Sequence, residues 1–268
     1  MHVLAVVSSP RRERGLSARV AERLLSGARD AGASTAMRYL IDDQPELCIG
    51  CGHACFAERD CVQEPEARER SAAIEQADAL ALCGPVYCWQ PNGLMAAMFD
   101  KVRLSTGPWR DAPQHGKPAV GLAIAGGTGS GVFCALQSMY AWFCLWKYRP
   151  LAPVPITRFN LDLALESAEA LGREIASTAP RPYGGVGELL ATYDALPALR
   201  YGHLEEFRWL ALTIARSLER RGDSAERVAA IRATLDRAEQ REHAGDRAGA
   251  GELFVAAYWA GVEAWSHS

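Results

Sequence analysis

Short apolar runs alternate with amphipathic helical segments over residues 1–160 of this chain. The apolar runs predict five strands, at His2–Val7, Ser34–Ile41, Ala79–Pro85, Pro118–Ala125 and Leu151–Ile156. The segments between them repeat apolar residues every three or four positions, which predicts helices. Strands that alternate with helices in this way form a parallel sheet with helices on both faces, so the sequence predicts an α/β fold.

The order of the strands follows from a general rule of chain connection. Crossovers between parallel strands are right-handed, which leaves few arrangements for five strands. The flavodoxin-like, doubly wound order 2-1-3-4-5 fits this number, and such sheets bind ligands beyond the carboxyl ends of their strands. We expect this domain to cover residues 1–178, followed by a linker over 179–200 and an all-helical extension over 201–268.

Composition and charge exclude several classes of function. The formal net charge is −3, so we expect no nucleic-acid partner and no attraction to an anionic membrane surface. No apolar run reaches the roughly 18 residues that a membrane-spanning helix needs. The N-terminal residues lack the basic leader and the small-residue cleavage site of a signal peptide, and we therefore expect a cytoplasmic protein.

The loop after the first strand has the composition of an anion site. It contains Ser9, Arg11 and Arg12 and leads into a predicted helix with Ser17 near its start. A helix N-terminus offers free backbone N–H groups and the positive end of the helix dipole, which suit a phosphate best. The serines can donate hydroxyl hydrogen bonds and the arginines can neutralise charge. A solvated turn with surface arginines is the alternative.

Two further loops, after the third and fourth strands, belong to the same predicted edge. Tyr87 and Trp89 follow the third strand, and aromatic rings at a strand end suggest a flat ligand. The alternative is that both rings pack on a neighbouring loop. The glycine-rich segment Gly126–Gly131 follows the fourth strand, and its backbone can approach a ligand closely. It does not match the glycine fingerprint of dinucleotide-binding folds, and a flexible turn is the alternative.

Four of the eight cysteines lie within one short loop, residues 48–61. Cys48, Cys51, Cys55 and Cys61 form the pattern C-x2-C-x3-C-x5-C. In a reducing compartment such a group indicates metal or redox chemistry rather than disulfides. Four thiolates this close are what an iron–sulfur cluster requires, while a four-cysteine zinc site and free, redox-active thiols are alternatives that the pattern leaves open.

Together these motifs resemble the NADPH-dependent FMN reductase and iron–sulfur flavoprotein family. The resemblance covers residues 1–160 and rests on S-S-P-R near the N-terminus, C-I-G-C-G after the second strand, P-V-Y followed by Gly93 and Met95, and G-G-T-G-S-G after the fourth strand. It implies a flavodoxin-like fold, FMN as cofactor and NAD(P)H as co-substrate. For the cluster-bearing members it also implies a 4Fe–4S cluster, here on the four cysteines of the loop.

The same resemblance implies which residues hold the flavin. At the FMN phosphate it implies Ser9, Arg11 and Ser17. Along the isoalloxazine ring it implies Pro85, Val86, Tyr87, Trp89 and Asn92. At the polar edge of the ring it implies Gly127, Thr128 and Gly129.

The resemblance implies an FMN-dependent oxidoreductase that passes electrons from NAD(P)H or a ferredoxin-like protein donor to a small-molecule acceptor. A second hypothesis is an iron–sulfur flavoprotein that carries electrons between partners without turning over a substrate of its own. A third is a binding scaffold with a decayed flavin site, which Leu16 favours because relatives usually carry asparagine there. The apolar last helix, with Phe254, Tyr258, Trp259 and Trp265, favours a subunit interface and hence a homo-oligomer, and burial of these side chains inside one chain is an equal alternative.

Overall fold

The computed structural model describes residues 1–53, 55–58, 60–104, 116–223 and 225–267. Within them the strands are β1 (His2–Val7), β2 (Ser34–Tyr39), β3 (Ala79–Tyr87), β4 (Gln90–Pro91), β5 (Pro118–Ala125), β6 (Arg149–Pro150) and β7 (Val154–Thr157). The sheet runs in the order β2-β1-β3-β5, and both β6 and β7 pair with β5. These pairs are parallel, whereas β4 forms a short antiparallel hairpin with β3. The predicted flavodoxin-like fold class is confirmed.

The fifth predicted strand differs in detail from the prediction. In place of one strand at Leu151–Ile156, β5 pairs with β6 near its start and with β7 near its end. Pro150, Pro153 and Pro155 lie in this stretch. Because proline has no N–H to donate to the ladder, continuous pairing is interrupted. The order 2-1-3-4-5 holds for the first four predicted strands, and two short strands fill the fifth position.

The helices cover both faces of the sheet and continue beyond it. They are α1 (Leu16–Asp30), α2 (Cys55–Glu58), α3 (Glu66–Gln76), α4 (Gly93–Lys101), α5 (Val132–Leu145), α6 (Leu161–Ser177), α7 (Val186–Asp194), α8 (His203–Arg220), α9 (Ala225–His243) and α10 (Arg247–Ser266). Short 3-10 helices occupy Arg12–Arg14 and Pro197–Arg200. One face of the sheet is covered by α1 and α6, and the other by α3, α4 and α5.

The side chains of β1 show how the sheet divides the core. Leu4 and Val6 belong to the cluster under α4 and α5, and Val3, Ala5 and Val7 belong to the cluster under α1 and α6. Successive side chains of a strand point to opposite faces, so a strand that is apolar at every position must be covered on both. This is the burial that the continuous apolar run predicts.

Residues 179–200, expected as a linker, are packed against the α/β domain. The segment contains α7, and Tyr183, Leu189 and Tyr193 are buried in the cluster under α5. The hydroxyl groups of Tyr183 and Tyr193 donate to the backbone oxygen of Tyr148 at 2.8 and 2.6 Å. Three buried side chains therefore fix the position of this segment, and its boundaries at 178 and 200 remain a sequence prediction.

The C-terminal part is helical, as predicted. Helices α8, α9 and α10 bury a third apolar cluster between them, and Phe159, between β7 and α6, is part of it. Asp246 is the N-cap residue of α10, and its side chain accepts a hydrogen bond from the N–H of Gly249 at 2.9 Å. A side chain that caps a helix in this way stabilises it by about 1 kcal/mol.

Candidate functional site

The three loops singled out in the sequence begin at the same edge of the sheet. Val7 pairs with Cys83, and Pro85 pairs with Ile124, so the carboxyl ends of β1, β3 and β5 lie within a few residues of one another in register. In a doubly wound sheet this edge holds the ligand. The structure therefore brings together the β1–α1, β3–α4 and β5–α5 loops.

The β1–α1 loop has the features of an anion site. Ser9 is 4% exposed at the start of the loop, and Ser17 is 2% exposed in the first turn of α1. Gly15 precedes α1, no side chain caps the helix, and its first turn has no acidic residue. Among the described residues, the N–H groups of that turn therefore have no side-chain acceptor. They are free to donate to a phosphate-type ligand.

The two arginines of this loop have different surroundings. The Arg12 guanidinium forms an ion pair with Asp42, which follows β2. Arg11 has an exposed side chain, and its backbone N–H donates to the Ser9 hydroxyl oxygen at 3.3 Å. Arg11 is therefore the arginine of this pair that is more available to an anion.

Asn92 connects the first loop to the second. It is 3% exposed, and its amide donates to the backbone oxygen of Ser8 at 2.8 Å. Two buried atoms beside this bond, Ser8 Oγ and Asn92 Oδ1, have no hydrogen-bond partner among the described residues. Buried polar atoms rarely go unpaired, so each calls for an explanation.

The β3–β4 hairpin places its two aromatic residues differently. Cys88 and Trp89 form the hairpin turn at φ angles of 49° and 67°, a left-handed conformation that is uncommon for residues other than glycine. The Trp89 ring packs against His203 and Phe207 of α8, with ring centroids 4.9 and 6.0 Å apart. Trp89 thus follows the packing alternative, although its neighbour is a helix of the C-terminal part rather than a loop. Tyr87 is 50% exposed.

Pro85 and Val86, the other two predicted ring contacts, are half-buried at the end of β3. Together with Tyr87 they line the same strand end, next to the connection between Asn92 and Ser8. Val86 also packs against the apolar cluster under α4 and α5.

The β5–α5 loop is held by the C-terminal helices. Gly127 is exposed with open space where a Cβ would lie, and the hydroxyls of Thr128 and Ser130 are 3.1 Å apart. Gly129 and Gly131 have φ angles of 91° and 86°. A Cβ on Gly131 would lie 2.5 Å from the backbone of Trp89, so the loop and the hairpin approach each other closely there.

Two residues that the sequence reasoning missed hold this loop. Glu206 of α8 is 1% exposed, and its Oε1 accepts hydrogen bonds from the N–H groups of Gly131 and Val132 at 2.6 and 2.9 Å. The hydroxyl of Tyr258 in α10 donates to the backbone oxygen of Thr128 at 3.1 Å. Glu206 lies four residues before the buried Leu210 and therefore on the apolar face of α8. A carboxylate on an apolar helix face was the sequence signal that could have identified this residue.

Burial raises the pKa of Glu206 above its usual range. Removing a carboxylate from water penalises its charged form, while hydrogen bonds from the N–H groups of Gly131 and Val132 lower the pKa and offset part of this effect. The desolvation is the larger contribution. The group therefore holds its proton at a higher pH than an exposed glutamate.

The four cysteines of the 48–61 loop line one small cavity of about 20 Å³, which is close to the space of a single water molecule. Lys101 Nζ donates to the Cys61 sulfur and Arg103 Nε to the Cys55 sulfur, both at 3.3 Å. Across the described parts of the chain, no three His, Cys, Asp or Glu side chains are arranged to hold a metal ion. The structure thus gathers the four predicted ligands around one cavity, without a metal-binding arrangement among the described residues.

A buried charge network supports this cavity. Glu64 is 3% exposed and lies 2.7 Å from Arg70 and 3.7 Å from Lys101, while Arg70 also pairs with Asp43 at 2.9 Å. Charges removed from water must be paired, and removing one partner leaves the other uncompensated. The network therefore attaches the cysteine loop to α3 and α4.

The sheet and its three converging loops define the class of protein. This is a flavodoxin-like α/β protein with an uncapped helix N-terminus, suited to an anion, at the carboxyl edge of its sheet. The family model for NADPH-dependent FMN reductases matches residues 1–152, and the chain belongs to this family.

Two curated relatives are named iron-sulfur flavoprotein. The one from Archaeoglobus fulgidus is 26% identical over 102 residues, which are 38% of this chain and 46% of that protein. The one from Methanosarcina thermophila is 22% identical over 142 residues, which are 53% of this chain and 72% of that protein. The chain thus matches less than half the length of the first relative.

Solved structures share the fold at low sequence identity. An azoreductase from Bacillus anthracis str. Sterne is 16% identical, with a TM-score of 0.53 over 65% of this chain and 99% of that one. An NAD(P)H:quinone oxidoreductase from Methanothermobacter marburgensis is 19% identical, with a TM-score of 0.52 over 65% of this chain and 98% of that one. At these identities the likeness concerns the fold. In the described part of the chain, no helix has the length and apolarity needed to cross a bilayer.

Proposed function

We propose that this protein is an FMN-dependent oxidoreductase that transfers electrons from NAD(P)H or a protein donor to a small-molecule acceptor. The observation that carries the proposal is the uncapped N-terminus of α1, with Ser9 and Ser17 buried beside it, at the edge where the other two loops meet. The family and the curated relatives support the choice of flavin. Bound FMN supplies the two-electron chemistry, and the protein supplies binding, orientation and tuning.

The residues present fit a phosphorylated flavin. Ser9, Ser17 and Arg11 would hold the phosphate, because they combine hydroxyl donors and a positive charge at a helix N-terminus. Asn92 Oδ1 has no partner among the described residues and lies where the first two loops meet, and a polar group of the ribityl chain would give it one.

The ring would lie against the other two loops. Pro85, Val86 and Tyr87 would line its apolar surface. Trp89 would hold the hairpin in place through its contact with α8. The backbone of Gly127, Thr128 and Gly129 would face its polar edge, where N–H donors stabilise negative charge on the reduced ring. The open space around Gly127 leaves room for this approach.

The test is an anaerobic titration of the FMN-loaded protein, followed by its visible absorbance. We expect NADPH or NADH to bleach the flavin bands and an added quinone or azo dye to restore them. Reduction by dithionite or a reduced ferredoxin alone, with none by either nicotinamide, would favour the carrier hypothesis. A protein that binds no FMN would contradict the proposal as a whole.

We also propose that the four cysteines of the 48–61 loop hold a 4Fe–4S cluster. Their common cavity, the two curated iron-sulfur flavoproteins, and the cations Lys101 and Arg103 beside two of the sulfurs support this, because a cluster with four thiolates carries net negative charge.

Iron and acid-labile sulfide, measured after anaerobic reconstitution, test the cluster. We expect about four irons per chain in the wild type and a loss in Cys51→Ala, with Cys144→Ala as a control outside the loop. Zinc without iron would indicate the zinc alternative. An absence of both metals, with four reactive thiols, would indicate free cysteines.

A homo-oligomer is the proposed assembly. Leu47, Ile49 and Trp259 are 75%, 71% and 52% exposed, and an interface between copies would cover such apolar side chains. Light scattering on the purified chain should give a mass of at least twice 29.1 kDa. A monomeric mass across micromolar concentrations would contradict this proposal.

A further inference from the structure

The C-terminal helices make their polar contacts with one loop of the proposed flavin site. Glu206 of α8 accepts from the N–H groups of Gly131 and Val132, and the Tyr258 hydroxyl of α10 donates to the backbone oxygen of Thr128. These contacts join residues 74, 75 and 130 positions apart in the chain. The described helical part therefore reaches the β5–α5 loop from two of its helices.

Glu206 takes the place that an anion would occupy at the N-terminus of α5. The first N–H groups of a helix lack partners within the helix and attract negative charge. Among the described residues, no side chain accepts a hydrogen bond from the first N–H groups of α1, whereas at α5 the Glu206 carboxylate does. A second phosphate at α5 would meet this carboxylate, so the two helix ends have different roles and the phosphate site is confined to α1.

Apolar packing against the cluster of the C-terminal helices also holds this loop. A Cβ built on Gly129 would lie 3.0 Å from Leu210 and 3.2 Å from Phe159, so the backbone at this glycine already touches the bundle. The loop is thus fixed at Thr128, Gly129 and Gly131 in succession. In contrast, Gly127 has nothing within 4 Å of a built Cβ. Support on one side and open space on the other are what a ligand-facing loop needs.

We propose that the bundle α8–α10 is a built-in support of the flavin-binding loop, and that Glu206 and Tyr258 are positioning residues for the flavin. This inference rests on the proposed function. Neither side chain is placed in contact with the flavin. Both act through the backbone of residues 128–132, which would hold the N–H groups of Gly127, Thr128 and Gly129 in a fixed direction to meet the polar edge of the ring.

Three substitutions of Glu206 distinguish the effect of side-chain length and hydrogen bonding from the effect of charge on FMN binding. Glu206→Gln keeps an oxygen that can accept both backbone hydrogen bonds, so we expect its FMN dissociation constant to stay within about threefold of the wild type. Glu206→Asp keeps the charge but shortens the side chain by one methylene group, and Glu206→Ala removes the acceptor. We expect both to weaken FMN binding by about tenfold or more, or 1.4 kcal/mol. Glu252→Gln, exposed on α10, is the surface control.

A substitution of Tyr258 tests the second contact. Tyr258→Phe keeps the ring and removes the hydroxyl that donates to Thr128. We expect a loss of FMN affinity of about threefold to tenfold, the usual range for one neutral hydrogen bond. Tyr193→Phe is the matched control, because it removes another buried hydroxyl donor, to the backbone of Tyr148, and should leave FMN affinity unchanged.

The spectrum of bound flavin distinguishes positioning from mere stability. We expect visible circular dichroism of saturated Glu206→Ala to differ from that of the wild type, with the wild-type signal restored in Glu206→Gln. Far-ultraviolet circular dichroism and thermal unfolding establish that each variant is folded. Folded variants that bind FMN with wild-type affinity and give the wild-type spectrum would overturn the inference while leaving the proposed function intact. A wild-type protein that binds no FMN would instead overturn the proposed function.

Discussion

The side-chain amide of Asn92 donates to the backbone oxygen of Ser8 at 2.8 Å, which joins two loops 84 positions apart in the sequence. Both residues are buried, and the bond lies at the carboxyl edge of the sheet. It therefore couples the proposed phosphate loop to the start of α4.

Asn92→Ala should destabilise the protein by about 1–3 kcal/mol, because it leaves the buried backbone oxygen of Ser8 without its donor. Urea unfolding of the flavin-free protein measures this change. The variant should also bind FMN more weakly. Gln137→Ala, which removes hydrogen bonds to the backbone of Leu199 and Tyr201, serves as a control that should lose stability but keep FMN affinity. Equal FMN affinity in Asn92→Ala and Gln137→Ala would contradict a role of the Asn92–Ser8 hydrogen bond in FMN binding.

Arg11→Ala should weaken FMN binding by about 1.5 kcal/mol, the lower end for a hydrogen bond to a charged group, because the side chain is exposed. Isothermal titration calorimetry with FMN gives the value. Riboflavin, which lacks the phosphate, should bind the variant and the wild type equally. Arg12→Ala is the matched control: its guanidinium is paired with Asp42, and the effect on FMN affinity should be smaller. A larger loss of FMN affinity in Arg12→Ala than in Arg11→Ala would assign the phosphate contact to Arg12 instead.

Two glycines of the β5–α5 loop should respond differently to alanine. At Gly131 the φ angle is 86° and a Cβ would lie 2.5 Å from the backbone of Trp89, so Gly131→Ala should cost about 1–3 kcal/mol of stability. At Gly127 a Cβ meets nothing within 4 Å, so Gly127→Ala should keep its stability and lower only FMN affinity. Thermal unfolding without FMN and a binding titration separate the two effects. Wild-type FMN affinity in Gly127→Ala would contradict the prediction that this glycine faces the flavin.

The buried carboxyl of Glu206 should make stability depend on pH. Its pKa in the folded protein is raised, chiefly by burial, so the folded state binds this proton more tightly than the unfolded state. The contribution to stability is then largest below the unfolded pKa and decreases as pH rises through the folded pKa. We expect the free energy of unfolding of the wild type, relative to Glu206→Gln, to fall as pH rises above the pKa of an unfolded glutamate, about 4.3. A rise above that pH would contradict the direction of the shift.

Much of the architecture follows from the sequence. The continuous apolar runs at His2–Val7, Ala79–Pro85 and Pro118–Ala125 indicate strands covered on both faces, and alternation with helices makes the sheet parallel. Once the sheet is parallel, its loops must share an edge, so the three candidate loops could be grouped before any coordinates were known. These features depend on local periodicity, which a sequence states directly.

Other features depend on which distant segments meet. The sequence by itself determined the first four predicted strands, the helical C-terminal part and the grouping of the candidate loops at one edge of the sheet. The tertiary structure decided that Trp89 packs on α8, that Tyr183 and Tyr193 fix residues 179–200, and that Glu206 occupies the N-terminus of α5. A single sequence carries the periodicity of each segment but not the partners of its side chains, because those partners are set by how whole helices pack, many residues apart.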